Sequence, residues 1–156
     1  GNRAFDITQG ALFPYLRGRG VELCPSLNYF LGQFKFKATG AAYGYGYNLY
    51  LSAPQTKPAV NAVKISRPTD LALFADAAQI NDFLFPVPLQ NPMLEEFYYV
   101  DANTSYPNGH FRHAQRANVT FCDGHVAQEK MVAGSLDRKL PGQNVGRLRS
   151  EILLLP

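Results

Sequence analysis

The sequence is short of charge, of cysteine and of long apolar runs. Charged residues make up 17% of it, below the ~25% of an average domain, and the net charge is only +3. With nine tyrosines and eleven phenylalanines, this is not the composition of a disordered tail or a basic nucleic-acid-binding arm. Arg138, Lys139, Arg147 and Arg149 thicken the C-terminal end, but Asp137, leucine and glycine interrupt them. That is the pattern of a solvated surface, and no nucleic-acid partner is expected. Apolar runs such as Ile152 to Leu155 fall far short of the ~20 residues a membrane-spanning helix needs. No Gly-x-Ser-x-Gly elbow, phosphate loop or paired glutamate motif is present, so nothing supports nucleophilic catalysis. The expectation is a protein that is not an enzyme. Internal repeats are also absent.

The two cysteines, Cys24 and Cys122, leave the redox compartment open. Bridged, they would close a loop of ~100 residues, worth about 4–5 kcal/mol in the chain-entropy model; unbridged, they are two separate thiols.

What the sequence does have is a concentration of signals between His110 and Lys130, HFRHAQRANVTFCDGHVAQEK. Asn118 to Cys122 is β-rich, Asp123-Gly124 is a turn pair, and His125 to Glu129 returns. Asp-Gly between two such runs predicts a hairpin with a type I′ turn, which needs positive φ at both centres. Counting outward pairs Cys122 with His125, Phe121 with Val126, Thr120 with Ala127 and Val119 with Gln128. Val119, Phe121 and Val126 would then share the core face, an assignment that a one-residue slip reverses.

His113, nine residues, then Asp123-Gly124, with Asn118 and Phe121 between and His125-Val126 after, resembles the prepilin-type processing-associated H-X9-DG domain. That domain belongs to pseudopilin-like proteins related to the G-type pseudopilins of type II secretion. Three further islands fit the family in order: Cys24-Pro25-Ser26, Tyr45-Gly46-Tyr47-Asn48, and the apolar run Leu71 to Asp76. The resemblance covers roughly residues 8 to 130 and treats His113, Asn118, Phe121, Asp123, Gly124 and His125 as structural motif residues. It implies an α+β fold, a pilin-like head with an N-terminal helix packed on an antiparallel β-sheet, as one domain over residues 1–156. It also implies an apolar anchor helix ahead of Gly1-Asn2, contact through it with other pseudopilin-like subunits and the inner membrane, and an extracytoplasmic place for the head. The calcium loop of G-type pseudopilins does not carry over. After residue 130 the only acids are Asp137 and Glu151.

Along the chain, Asp6 and Gln9 predict a helix start with Ile7, Ala11 and Leu12 on one face. Pro14 should end or kink that helix near Phe13, and Gly18 and Gly20 should stop it. Phe34 and Phe36 alternating with lysines predict a half-exposed strand, and Tyr43, Tyr45 and Tyr47 recur at period two with glycines opposite. The glycines mark a close approach on their side. Leu71 to Ala75 is short and apolar enough for a buried strand, Asp82 to Pro92 reads as irregular, and Phe97 to Val100 as a strand. The tail with Ile152 to Leu155 either docks on the sheet or frays.

The one cluster with metal-ligand character is His110, His113, Asp123 and His125, with Asp76 and Cys122 as further members. Its spacing matches no tight zinc signature, and no metal or cofactor is expected. The favoured reading is a clasp in which His113 bonds a carbonyl or carboxylate and Arg112 pairs with Asp76 or Asp123. The functional expectation is a structural subunit of a membrane-anchored, type II secretion-like assembly. Two other classes stay open: a cell-surface glycan- or polymer-binding module using the tyrosines and loop 82–110, and a metal-dependent enzyme using the histidine cluster.

Overall fold

Leu71 to Ala75, apolar at every position, supplies the central strand of the fold. A computed structural model describes residues 6–10, 12–16, 24–37, 44–52, 60–83 and 90–155. Its strands are β1 (Phe34–Lys35), β2 (Tyr45–Asn48), β3 (Ala72–Asp76), β4 (Ala78–Asn81), β5 (Met93–Glu96), β6 (Tyr99–Val100), β7 (Gly109–His110), β8 (Arg116–Phe121), β9 (Val126–Lys130) and β10 (Val145–Gly146). They form a five-stranded sheet, β6-β2-β3-β8-β9, a three-stranded sheet, β1-β5-β4, and the pair β10-β7. Only β1-β5 and β2-β6 are parallel. The chain is thus a mixed helix-and-sheet fold, mostly strand.

β3 ends at Asp76, and after Ala77 the chain enters β4 in the second sheet. Asp76 and Ala77 are therefore the crossing point between the sheets, and both are fully buried. Loops close around that point: Ala77 N–H donates to Gly44 O at 3.1 Å and Ala78 N–H to Asn108 O at 3.2 Å. One apolar cluster, with Ala75, Phe111, Val119 and Phe121, lies against the larger sheet; a second, with Cys24, Leu27, Ile80 and Leu94, lies against the smaller one. Beside Tyr99 a side chain at position 46 would come within 2.7 Å of backbone, so the close approach read from the glycines holds at Gly46.

The tail docks. Ile152 and Leu153 are buried in the larger cluster, and the fully buried Asn48 amide donates to Ala72 O and Leu153 O, both at 2.9 Å. The N-terminal expectation needs correcting. Asp6 caps a 3-10 turn (Ile7–Gln9) through Thr8 N–H, and α1 (Phe13–Leu16) starts at Phe13 instead of ending there. Pro14 sits in its first turn, where the missing N–H has no partner to lose. α1 buries none of its residues. Ala11, Gly18, Gly20 and Tyr43 lie outside the described residues. The strand expected at Phe97 to Val100 is shortened to Tyr99–Val100, and the residues before it, Met93–Glu96, form a separate strand in the other sheet. Periodicity misses β5 because it buries Glu95 and Glu96, which Lys35 and the Lys37 amide satisfy. Among the described residues no helix is long and apolar enough to cross a membrane.

The hairpin exists, but its register is one residue off the expectation. Thr120 pairs with Val126 and Val119 with Ala127. The loop holds three residues, Cys122 to Gly124, closed by Gly124 N–H to Phe121 O at 2.9 Å and Phe121 N–H to His125 O at 2.9 Å. Within it Gly124 has φ +92°, while Asp123 does not have positive φ. This is the three-residue connection that ends on a left-handed glycine. The slip turns Val126 outward, 63% exposed, and lets Ala127 pack on the core beside Val119. A Cβ at Gly124 would meet nothing within 4 Å, so backbone strain alone sets the cost of a side chain there. Gly124→Val is expected to cost about 1–2 kcal/mol, and Gly124→Asn less, because asparagine tolerates this region. Urea melts of both variants check the order; equal losses would contradict it.

Candidate functional site

At the crossing point the fully buried Asp76 offers two carboxylate oxygens. Oδ1 lies 2.5 Å from Arg112 Nη2. Oδ2 accepts the Asn118 backbone N–H at 2.7 Å and faces His113 Nε2 at 3.3 Å. Burial pushes the Asp76 carboxyl above the usual range, while Arg112, the Asn118 amide and His113 pull the other way.

Arg112 organises the rest. Its side chain is 3% exposed, and a guanidinium carries five N–H donors in a fixed plane. Nε donates to Cys24 Sγ at 3.1 Å. Nη1 donates to His110 Nδ1 at 3.0 Å and to Ala77 O at 3.5 Å. Nη2 donates to Gly44 O at 2.6 Å as well as to Asp76. Every donor has an acceptor. The Tyr45 ring lies 5.8 Å away, and its hydroxyl pKa is raised by burial, then by Cys24 and Asp76.

A tight turn presents His113. Its backbone exchanges hydrogen bonds with Arg116 at 3.0 and 3.1 Å, and the two residues between, Ala114 and Gln115, have φ of 52° and 61°. Positive φ at both centres is the signature expected at Asp123-Gly124, and it occurs here on two residues that normally avoid it. The His113 ring reaches back to Cys24 Sγ at 3.5 Å as well as to Asp76.

The expected set of His110, His113, Asp123 and His125 does not meet. His110 is buried and receives Arg112. His125 stacks on Phe121, ring centroids 4.4 Å apart, and its Nδ1 lies 2.7 Å from Asp123 Oδ1. That contact and the His125 amide hold the Asp123 carboxyl below the usual range. Asp123 therefore serves the turn, and Arg112 pairs with Asp76. Asn118 contributes its backbone N–H to the site; its side chain meets Gln128 at 3.4 Å. Phe121 is core. The alternative of a Cys24–Cys122 bridge is corrected: both thiols are free. Cys24 is buried beside Arg112, while Cys122 sits at the hairpin loop and lines a separate hollow of about 180 Å³ with Tyr47 and Leu73. Sequence reasoning missed Cys24 as a site member. Only its place in the Cys-Pro-Ser island pointed to it.

Chemically the arrangement is not a nucleophilic relay. A relay uses both ring nitrogens, one toward the nucleophile and one toward the acid. Here Cys24 and Asp76 address the same nitrogen, His113 Nε2. Cys24, Asp76 and His113 do form the one set of potential metal ligands among the described residues, their ligand atoms within 4.8 Å of one another. Three exposed aromatics, Phe83, Tyr98 and Tyr106, line a separate hollow of about 320 Å³. Lys37 covers the Phe97 and Tyr98 rings there and Lys139 covers Tyr106. Tyr47 of the tyrosine stripe packs edge-on against Phe74. No family model matches the chain, and no curated protein or solved structure is significantly similar to it.

Two outcomes follow from this geometry. Asp76→Ala would strand a buried guanidinium and is expected to cost about 3–5 kcal/mol. His113→Ala leaves Arg112 and the Asn118 amide on Asp76 and should cost less, about 1–3 kcal/mol. Urea unfolding of both variants tests the ranking. The second outcome concerns pH. Burial, then Arg112, push the His110 pKa down to about 3, and Arg112 fixes Nδ1 as the acceptor. The unfolded chain therefore takes up this proton first as pH falls, and stability drains between about 6.5 and 3. The slope from this ring is up to ~1.4 kcal/mol per pH unit. Asp76 works in the opposite sense but is common to wild type and His110→Gln, so the difference between their stability curves isolates His110. Parallel curves from pH 7 to 4 would refute the assignment.

Proposed function

We propose that this chain is the globular head of a pseudopilin-like, membrane-anchored structural subunit, in a type II secretion-like assembly. The head lies outside the cytoplasm and carries no catalysis. An apolar helix ahead of the head anchors it in the inner membrane and packs against other such subunits. The head itself is a pilin-like fold whose sheet receives the end of that helix.

One observation carries the reading. The four islands of the resemblance are separated by long stretches of chain, yet each contributes to one cluster around the buried Asp76. Cys24 comes from the first; Tyr45 comes from the second, beside Gly44; Asp76 comes from the third; and His113 and the Asn118 amide come from the fourth. Residues that recur for catalysis would face an open cleft. Here Cys24 and Asp76 are buried and engaged by Arg112 and His113, as residues that specify a head fold would be.

Expression with the natural upstream sequence tests the proposal. The expected result is a short basic leader, removed during maturation, followed by an apolar helix of ~20 residues that holds the protein in the membrane fraction. A natural N-terminus that lacks such a helix and leaves the protein soluble overturns it.

A further inference from the structure

The metal ligands expected from the hairpin do not assemble, but a different set does. We propose that Cys24, Asp76 and His113 form a binding site for one divalent cation of the zinc class, with solvent completing the shell. The proposal does not depend on the head being a filament subunit.

The distances carry it. Donor atoms on a tetrahedral zinc, with Zn–S ~2.3 Å and Zn–N or Zn–O ~2.0–2.1 Å, lie about 3.3–3.6 Å apart. Cys24 Sγ is 3.5 Å from His113 Nε2, and Asp76 Oδ2 is 3.3 Å from the same nitrogen. A hydrogen bond explains this less well. A neutral imidazole has one N–H, and it cannot point well at two acceptors. A charge-assisted N–H···O bond would also be shorter, about 2.7–2.9 Å. Two of the three donor–donor edges thus have tetrahedral length, both meeting at His113 Nε2, and all three ligand atoms lie within 4.8 Å of one another, close enough for one cation to draw them together.

The surroundings match what metal ligands need. Ligating groups are oriented by further hydrogen bonds, which set their basicity. Arg112 Nη2 occupies Asp76 Oδ1, leaving Oδ2 for the ion, and the Asn118 amide orients Oδ2. Arg112 Nε donates to Cys24 Sγ at 3.1 Å and so orients the sulfur. Sulfur, imidazole and one carboxylate favour zinc over calcium or magnesium, which take oxygen shells. Cys24 and Asp76 are buried, whereas the His113 side chain is 22% exposed and gives the ion and its water a way in. Metal binding converts the Cys24 thiol to thiolate and releases one proton to solvent. Thiolate and carboxylate then offset two of the three positive charges that the ion and Arg112 bring together.

The test uses the purified chain, stripped with a chelator and titrated with Co²⁺ as a visible stand-in for zinc. One equivalent should bind with a thiolate-to-cobalt charge-transfer band, release one proton, and be displaced by zinc, which should also raise Tm. The chain has only two cysteines, so Cys122→Ser should keep the band and Cys24→Ser should lose it. Should Cys24→Ser fail to fold, the Cys122→Ser titration still decides, because its one remaining thiol is Cys24. His113→Gln should weaken binding without changing the far-ultraviolet spectrum. The proposal is overturned if the wild type gives no band at one equivalent, if Cys122→Ser abolishes the band, or if the band survives in Cys24→Ser.

Discussion

A guanidinium out of water has to be matched donor by donor, and most of this fold is arranged around doing that for Arg112. Its five acceptors come from the loop before β2, the end of β3, the residue joining the sheets, β7 and the Cys24 loop. No single element could provide them. Each must arrive at a set distance in one plane, so the planar fork dictates how the segments stand around the crossing point. A lysine would deliver one point charge with rotating donors and could not impose that geometry. Buried ion pairs seldom add much net stability, since desolvation offsets the attraction. What Arg112 and Asp76 supply is specificity: another packing of the same strands would leave a buried charge unmatched.

The sequence was most legible where one physical signal dominated. Leu71 to Ala75 is apolar throughout and became the central strand. The Asp-Gly turn located the hairpin, and the expected pairing of Arg112 with Asp76 formed. Register was less legible, because type I′ and three-residue loops share the same Asp-Gly pair and differ by one residue in count. The positive-φ turn that residue preference placed at Asp123-Gly124 occurs at Ala114-Gln115, where neither residue announces it. Tertiary bonding from His113 and Arg116 holds that turn. β5 was hidden because Glu95 and Glu96 read as surface until Lys35 and Lys37 are brought beside them. Cys24 was hidden for a similar reason. A lone cysteine in a loop carries no local sign that an arginine and a histidine from ~90 positions away will meet it.

The histidines show how one residue type divides its labour by surroundings. His110, buried against a permanent cation, is kept neutral and serves as an acceptor. His125, stacked on Phe121 at the surface, braces a turn. His113, between the two in exposure, is the one whose ring nitrogen faces both a sulfur and a carboxylate. Sequence spacing treats them as one cluster, whereas the fold separates them by the groups each must satisfy.

Asn48 ties β3 to a segment far along the chain, and this bears on when the fold can form. Its buried amide bonds Ala72 and Leu153 at once, partners 24 and 105 positions along the chain. A growing polypeptide emerges from its N-terminal side, so β2 and β3 are available long before residue 153. Until residues 152 and 153 arrive, one amide donor lacks its acceptor and part of the larger cluster stays open to solvent. Contacts of such long separation are slow to form and are made late. An incomplete chain would therefore display strand edges and apolar surface, the condition in which chains associate wrongly. Leu153 thus completes a bond that Asn48 has held open across 105 positions of chain.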